Sequence, residues 1–157
     1  MSKLSTGLST FALVALCSLG FANSANANTT TAVSIAKSGP VFLGDGGTYP
    51  FSEAVRVGNI LYMSGQIGFK EGKLVKGGIK AETKQVLDNI HSTLLKYGYR
   101  QADIVKCMVM LTDMDDFDDF NTVYKAELTK PYPARSAFGV SELAAGASVE
   151  IECMAAK

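Results

Sequence analysis

The sequence is poor in the residues that metal sites and nucleic-acid interfaces require. It contains a single histidine, His91, among 157 residues. Zinc sites take several histidine or cysteine ligands, and no cysteine lies at ligand spacing from His91, so we predict no zinc site. The 15 basic residues are balanced by 15 acidic residues and form no basic run. A nucleic-acid partner is not expected, because phosphate binding needs a concentrated positive surface.

Two segments resemble ligand-binding loops but lack the rest of the pattern. Four aspartates crowd residues 115–119, but Phe117 interrupts them and the spacing and glycine of an EF-hand are missing. Acidic residues in a first helical turn instead complement the helix dipole. The glycines within residues 44–47 are followed by neither a helix nor the lysine of a phosphate-binding loop. Neither segment is predicted to hold an ion or a phosphate group.

The N-terminus has the layout of a secretory signal peptide rather than of a membrane span. Lys3 precedes an apolar stretch at residues 8–21, and Ala-Asn-Ala follows at residues 25–27. A positive start, a short apolar region and a small-residue cleavage site define such a peptide, and the stretch is too short to span a bilayer comfortably. We expect cleavage after Ala27, one domain over residues 28–157, and a periplasmic or secreted location.

The remainder of the chain predicts one α+β domain. Apolar residues recur at helical spacing in two segments and alternate with polar residues in others. The pair Gly-Asn at residues 58–59 is typical of a hairpin turn, and the glycine-rich residues 68–78 indicate a loop or short ribbon. We expect helices at residues 80–97 and 115–129, and strands at residues 33–35, 53–57, 60–67, 104–111, 134–140 and 149–155. Both helices should cover one face of a mixed sheet.

The last two predicted strands each carry a charged residue suited to binding or catalysis. Arg135 lies near the start of the first strand, and its guanidinium fork suits a carboxylate. Glu150 lies on the polar side of the second strand and offers a proton acceptor on a rigid element. For any single charge, a solvated position on a strand face is the commoner explanation.

Several motifs, taken in order, point to a known family. The C-terminal ones are Pro-Ala-Arg-Ser at residues 133–136 and Val-Glu-Ile-Glu at residues 149–152. Upstream lie Gly-Asn-Ile-Leu-Tyr-Met-Ser-Gly-Gln-Ile at residues 58–67, Thr-Lys-Gln-Val-Leu-Asp-Asn-Ile at residues 83–90, and an acidic segment at residues 113–124. In order and spacing, these motifs resemble the RidA (YjgF-type) family from about residue 40 to the end.

The resemblance implies a fold, an assembly and a reaction. The expected fold is chorismate-mutase-like, and the expected assembly is a homotrimer with ligand clefts between subunits. The reaction is hydrolysis of small reactive 2-enamino or 2-imino acids to 2-oxo acids and ammonia, without a metal or organic cofactor. Arg135 corresponds to the arginine that grips the substrate carboxylate, and Glu150 to the glutamate that positions or activates water. Ser64 and Gly65 match the cleft wall, and Asn121 matches a cleft-proximal asparagine.

Three positions depart from the pattern of the family. Phe51 replaces a tyrosine, Glu53 replaces a glutamine and Ala137 replaces a cysteine. Because Phe51 and Ala137 fall on substrate-binding positions, these changes predict an altered substrate preference. Export also contrasts with the cytoplasmic origin of the family's substrates. A non-catalytic or protective protein that binds small carboxylates through Arg135 is the alternative. A ribonuclease role, reported for some relatives, is disfavoured by the neutral charge and the predicted export.

Cys107 and Cys153 lie on the apolar faces of their predicted strands, which are expected to be neighbours in the resembled fold. An oxidising compartment permits a disulfide between them. Neighbouring strands often hold cysteines in unsuitable geometry, and free cysteine is among the most buried residue types. We therefore expect two buried free thiols.

Overall fold

The computed structural model describes residues 39–157. The predicted signal peptide and the strand predicted at residues 33–35 lie outside this range. The helices are α1 (Gly78–Lys96) and α2 (Phe117–Glu127). The strands are β1 (Val41–Leu43), β2 (Ala54–Val57), β3 (Ile60–Met63), β4 (Gln66–Ile67), β5 (Phe69–Lys70), β6 (Lys73–Leu74), β7 (Ile104–Leu111), β8 (Ala134–Gly139) and β9 (Val149–Ala156).

The main sheet is mixed, as the sequence predicts. Its strand order is β1-β2-β3-β9-β7-β8, and β4 also pairs with β9. Neighbouring strands are antiparallel except for β7 and β8, which are parallel. Parallel neighbours need a crossover connection, and the segment that contains α2 supplies it. Strands β5 and β6 form a separate two-stranded ribbon within the glycine-rich segment.

The core lies between one face of the sheet and the two helices. On β7 and β9 buried residues alternate with partly exposed ones, as the period of a strand requires. Helix α1 contributes Val86, Ile90 and Leu94, and α2 contributes Phe120 and Tyr124, all of them buried. Both helices therefore cover the same face, and the predicted α+β arrangement is confirmed.

The opposite face of the sheet carries apolar side chains that no described helix covers. The strand registers place Phe42 beside Val55 and Tyr62 beside Met154. They also place Phe138 beside Met110. Phe42 is 69% exposed, and Tyr62 and Phe138 are exposed to 40% and 42%. We call this surface the open face.

Element boundaries differ from the predicted ones where glycine or a short strand is involved. Helix α1 starts earlier than expected, at Gly78, which is the second of two consecutive glycines with positive φ that turn the chain into the helix. Strand β1 was not predicted, because three residues are too few for a periodic pattern. The predicted strand at residues 60–67 is interrupted by Ser64 and Gly65. Asp118 and Asp119 do lie in the first turn of α2, which confirms the dipole interpretation of the acidic cluster.

Cys107 and Cys153 form a disulfide, so the expectation of free thiols is wrong. The two residues lie directly opposite each other on the antiparallel strands β7 and β9. Their Cα atoms are 4.1 Å apart, which corresponds to the closer of the two spacings in an antiparallel ladder. Both side chains are buried on the helix-covered face. The bridge therefore links two central strands inside the core.

Candidate functional site

Glu150 presents a half-buried carboxylate without a hydrogen-bond partner among residues 39–157. Strand β9 places Glu150 opposite Met110 of β7 and Ile67 of β4, with its side chain on the open face of the sheet. Burial raises the pKa of Glu150 above its ordinary value, and the nearby charge of Glu152 raises it further. A carboxylate of raised pKa that is free of other partners is suited to accept a proton.

Gly65 provides the close approach that this carboxylate needs. A Cβ atom at position 65 would overlap the Glu150 carboxylate, so a larger residue there would displace this carboxylate from its position. Ser64 does not face the same space with its hydroxyl, which donates to the carbonyl of Ser52 at 2.6 Å. The Ser64 amide donates to the carbonyl of Glu53 at 3.1 Å. Ser64 therefore holds the backbone of this wall in place through its hydrogen bonds, and Gly65 borders the space beside the Glu150 carboxylate.

Glu150 and Gly65 line a cavity of about 670 Å³, which we call the Glu150 cavity. Its other walls come from the loop at residues 44–53, from β4 and β5, from α1 and from the turn at Ala144 and Ala145. Phe51 lies in this wall, and its ring stacks on Tyr49 with the ring centres 5.8 Å apart. The predicted site residues Glu150, Gly65 and Phe51 thus meet in one place.

A charged network in the cavity wall was not predicted from the sequence. The Glu53 carboxylate accepts hydrogen bonds from Lys96 at 2.5 Å, Tyr97 at 2.7 Å and Thr93 at 3.3 Å. Burial raises the pKa of Glu53, but the hydrogen bonds from Lys96 and Tyr97 outweigh it, so the pKa lies below its ordinary value. The sequence shows that Glu53 replaces a glutamine, but only the fold shows that its three donors come from the last turn of α1 and from the residue that follows it.

Arg135 lies in a second, smaller hollow of about 230 Å³. One guanidinium nitrogen donates to Asn121 Oδ1 at 2.7 Å. The guanidinium also lies over aromatic rings of α2, with its carbon 4.9 Å from the ring centre of Tyr124 and 5.5 Å from that of Phe120. The aromatic rings and the one hydrogen bond to Asn121 hold the guanidinium in place. Within the described part of the chain, the remaining N–H groups of the guanidinium are free to donate to a ligand. We call this site the Arg135 hollow.

Tyr124 adds a polar atom to the Arg135 hollow. Its hydroxyl is buried and has no hydrogen-bond partner among residues 39–157. Burial raises the pKa of Tyr124, although the charge of Arg135 opposes the shift. The tyrosine therefore remains a neutral side chain beneath the guanidinium.

Within one chain, the Arg135 hollow and Glu150 lie on different faces of the sheet. Arg135 is in register with Cys107, whose side chain is buried under the helices. Glu150 is in register with Met110 on the open face. Residues side by side in register share a face, and successive residues alternate. Ala137, two residues after Arg135, packs against the helix-covered core. The predicted site residues therefore form two groups in one chain.

Two further properties concern metals and membranes. Among residues 39–157, no group of three or more histidine, cysteine, aspartate or glutamate side chains is placed to hold a metal ion. Neither helix in the described part of the chain is long and apolar enough to cross a membrane.

The chain is similar in sequence to known proteins. A family model described as Endoribonuclease L-PSP matches residues 47–157. A RutC family protein of Pyrococcus horikoshii is 44% identical over 110 residues, which cover 69% of this chain and 87% of the relative. The 2-iminobutanoate/2-iminopropanoate deaminase of Bos taurus is 43% identical over 108 residues, which cover 68% of this chain and 79% of the relative.

A solved structure is similar over the same region. The crystal structure of RidA from the Antarctic bacterium Psychrobacter sp. matches with a TM-score of 0.68 and 42% sequence identity. The match covers 70% of this chain and 90% of that protein.

Proposed function

From its membership of the RidA (YjgF) family, whose chorismate-mutase-like fold it has, we propose a function for the chain. It hydrolyses small 2-imino and 2-enamino acids to 2-oxo acids and ammonia. The observation that carries the proposal is the Glu150 carboxylate, which is half-buried, free of hydrogen bonds from residues 39–157 and raised in pKa beside a cavity. Relatives named as deaminases of such imines support it.

The proposed reaction needs little from the protein besides positioning and one proton acceptor. Water attacks the electrophilic imine carbon while Glu150 takes a proton from that water, and a carbon–oxygen bond forms as the carbon–nitrogen π bond opens. Glu150 returns the proton to the nitrogen of the resulting carbinolamine. The carbon–nitrogen bond then breaks while Glu150 takes the hydroxyl proton and passes it to the departing nitrogen, so that a carbonyl forms, ammonia leaves and the 2-oxo acid remains. Arg135 holds the substrate carboxylate through paired, charge-assisted hydrogen bonds.

The two groups of site residues are proposed to meet between copies of the chain in a homotrimer. The Arg135 hollow of one copy would then face the Glu150 cavity of the next. The open face supports this assembly, because it exposes Phe42, Tyr62 and Phe138 in a sheet that no described helix covers there. Exposed apolar surface favours association, and head-to-tail contacts close into rings when the rotation permits.

A non-catalytic carboxylate-binding protein is the second candidate, since the Arg135 hollow is complete within one chain without Glu150. Turnover separates the two. Purified protein incubated with freshly generated 2-iminopropanoate should release ammonia and pyruvate faster than the imine does alone. A rate equal to that of the uncatalysed reaction, together with measurable pyruvate binding, would support the binding protein instead.

RNA cleavage is not proposed, although the matching family model carries an endoribonuclease description. The charged residues lining the Glu150 cavity are Asp45, Glu53, Glu150 and Lys96. Three carboxylates against one ammonium group repel a phosphate backbone rather than attract it.

Export is proposed on the N-terminal sequence. Residues 1–27 are expected to be removed as a signal peptide, which leaves a periplasmic or secreted domain from residue 28 to 157. The Cys107–Cys153 disulfide supports this location, because disulfides persist in oxidising compartments and are rare in the cytosol. N-terminal sequencing of the exported protein should begin near Asn28, and a chain that begins at Met1 or Ser2 would rule the processing out.

A further inference from the structure

We infer that the Glu150 cavity receives a large apolar side chain, so that 2-imino acids with branched or aromatic side chains are preferred over 2-iminopropanoate. The inference rests on the proposed function, because it assumes that the reacting carbon lies next to Glu150. It concerns which member of the substrate class binds best. Binding of product 2-oxo acids tests it even if the chain does not catalyse hydrolysis.

The size of the cavity is the first argument. Its volume of about 670 Å³ lies in the range of roughly 300–1,000 Å³ that is typical of sites for drug-sized ligands. The reacting carbon, its nitrogen and the attacking water need only the space beside Glu150 and Gly65. A three-carbon substrate would therefore leave most of the cavity filled with water, whereas a larger side chain would displace that water.

The chemistry of the wall is the second argument. Tyr49 and Phe51 form a stacked aromatic pair with their ring planes 16° apart. Ile67 and Phe69 add apolar surface from the sheet side. Phe51 has no hydroxyl group, unlike the tyrosine expected from the family pattern, so its ring adds apolar surface to the wall but no hydrogen-bond partner. An apolar substrate side chain gains free energy by leaving water for such a surface.

The charges in the cavity are the third argument, because they do not favour a charged side chain. Lys96 is paired with Glu53, which also accepts bonds from Tyr97 and Thr93. Asp45 is exposed and accepts the amide of Gly47 within its own loop. Under the proposed function, Glu150 contacts the attacking water and is not available to pair with a substrate side chain. A charged side chain would lose hydration without gaining a free partner.

Binding of 2-oxo acids measures the preference directly. Calorimetry on the full-length protein should give dissociation constants for 4-methyl-2-oxopentanoate and phenylpyruvate at least tenfold below that of pyruvate. The reason is that each methylene group in an apolar pocket changes the discrimination between ligands by roughly 10- to 200-fold. The acidic 2-oxoglutarate should bind more weakly than the two apolar acids. Pyruvate binding as tight as phenylpyruvate, or 2-oxoglutarate as the tightest ligand, would overturn the inference.

Turnover of the matching imines distinguishes this inference from the proposed function. Imines generated from leucine and phenylalanine should be hydrolysed with a higher kcat/KM than the imine from alanine. Hydrolysis with the reverse preference contradicts the inference and leaves the proposed function standing. Preferential binding of the large 2-oxo acids without hydrolysis of any imine contradicts the proposed function and leaves the inference standing.

A variant assigns the preference to the aromatic wall. Tyr49→Ala removes one ring of the stacked pair and should lower the affinity ratio of phenylpyruvate to pyruvate roughly three- to tenfold. Leu95→Ala is the matched control, because Leu95 is an exposed apolar residue of α1 that does not line the cavity. The control should keep the ratio of the parent. An unchanged ratio in a folded Tyr49→Ala variant would show that the aromatic wall does not select the ligand.

Discussion

The surroundings of Glu150 and Arg135 prepare the two charged residues for different tasks. The Glu150 carboxylate is half-buried and free of hydrogen bonds from residues 39–157, and both its burial and the charge of Glu152 raise its pKa. The guanidinium of Arg135 is held by Asn121 and by the rings of α2. A base needs a pKa near the working pH, whereas a carboxylate anchor needs fixed donors. Each residue has the surroundings that its proposed role needs.

The variant Arg135→Lys tests whether Arg135 binds the substrate carboxylate. Lysine keeps the charge but loses the planar fork and the bond geometry to Asn121. Affinity for 2-oxobutanoate should fall by roughly 1.5–3 kcal/mol, the usual contribution of a hydrogen bond to a charged group. Calorimetry measures the change. Arg100→Lys is the control, because Arg100 pairs with Asp103 outside both cavities. Undiminished binding by Arg135→Lys would make the arginine structural.

The pH dependence of kcat/KM tests the base. Glu150 must be ionised to accept a proton, so activity should be lost as the pH falls through its pKa, which lies above the ordinary glutamate value. Glu152→Gln removes a negative charge that disfavours this ionisation. The pKa of Glu150 should then fall, and the acidic limb of the profile should move to lower pH. A limb that stays in place or moves to higher pH would contradict the assignment.

Among the elements, β7 and β9 organise both the core and the site. They are adjacent in the centre of the sheet, they carry the disulfide, and β9 carries Glu150. The alternation of residues in β9 predicts its two faces from the sequence alone. The pairing of Cys107 with Cys153 was not predictable, because it depends on the register between strands that lie 46 residues apart in sequence. A shift of one residue would have separated the thiols.

The disulfide should contribute to stability. A double variant, Cys107→Ala with Cys153→Ala, removes a bridge across 46 residues, and such bridges typically contribute about 2–4 kcal/mol by restricting the unfolded chain. Urea unfolding should show a free energy lowered by about that amount. A reducing agent should lower the stability of the parent and leave the double variant unaffected. Two reactive thiols per exported chain in denaturant without reductant would show that the bridge does not form.

The placement of the site follows from tertiary structure more than from motifs. The sequence marks Arg135 and Glu150 as candidates but not their separation, because that depends on which face of the sheet each strand presents. It also cannot show that Lys96, the last residue of α1, and the adjacent Tyr97 contact Glu53, which directly precedes β2. Sequence periodicity predicts faces within an element, whereas contacts between elements depend on register and packing.

At the scale of the whole molecule, the open face is the main unexplained surface of a single chain. Helices cover one face of the sheet, while the other exposes Phe42, Tyr62 and Phe138. Such a surface is costly in water, and the proposed trimer would bury it while bringing Arg135 of one copy towards Glu150 of another. The same interface would then both stabilise the protein and bring the two groups of site residues together.

The trimer predicts a mass of three chains by light scattering at micromolar concentration. Phe138→Glu places a charge on the open face and should shift the protein towards smaller species, because an unpaired buried charge is unfavourable. Leu95→Glu, at an exposed position of α1, should leave the mass unchanged. A stable monomer of the parent protein would remove the shared site.

The central claim is that Glu150 accepts the proton of the attacking water. The most direct test compares the turnover of 2-iminopropanoate by the Glu150→Gln variant with the binding of 2-oxobutanoate by the same variant. Glutamine nearly preserves the shape of glutamate but cannot accept the proton of water. Turnover should therefore fall on the order of 10²–10⁴-fold, while calorimetry finds carboxylate binding close to that of the parent. Glu152→Gln, a neighbouring carboxylate of β9, should retain turnover at neutral pH. Parental turnover in Glu150→Gln would contradict the account.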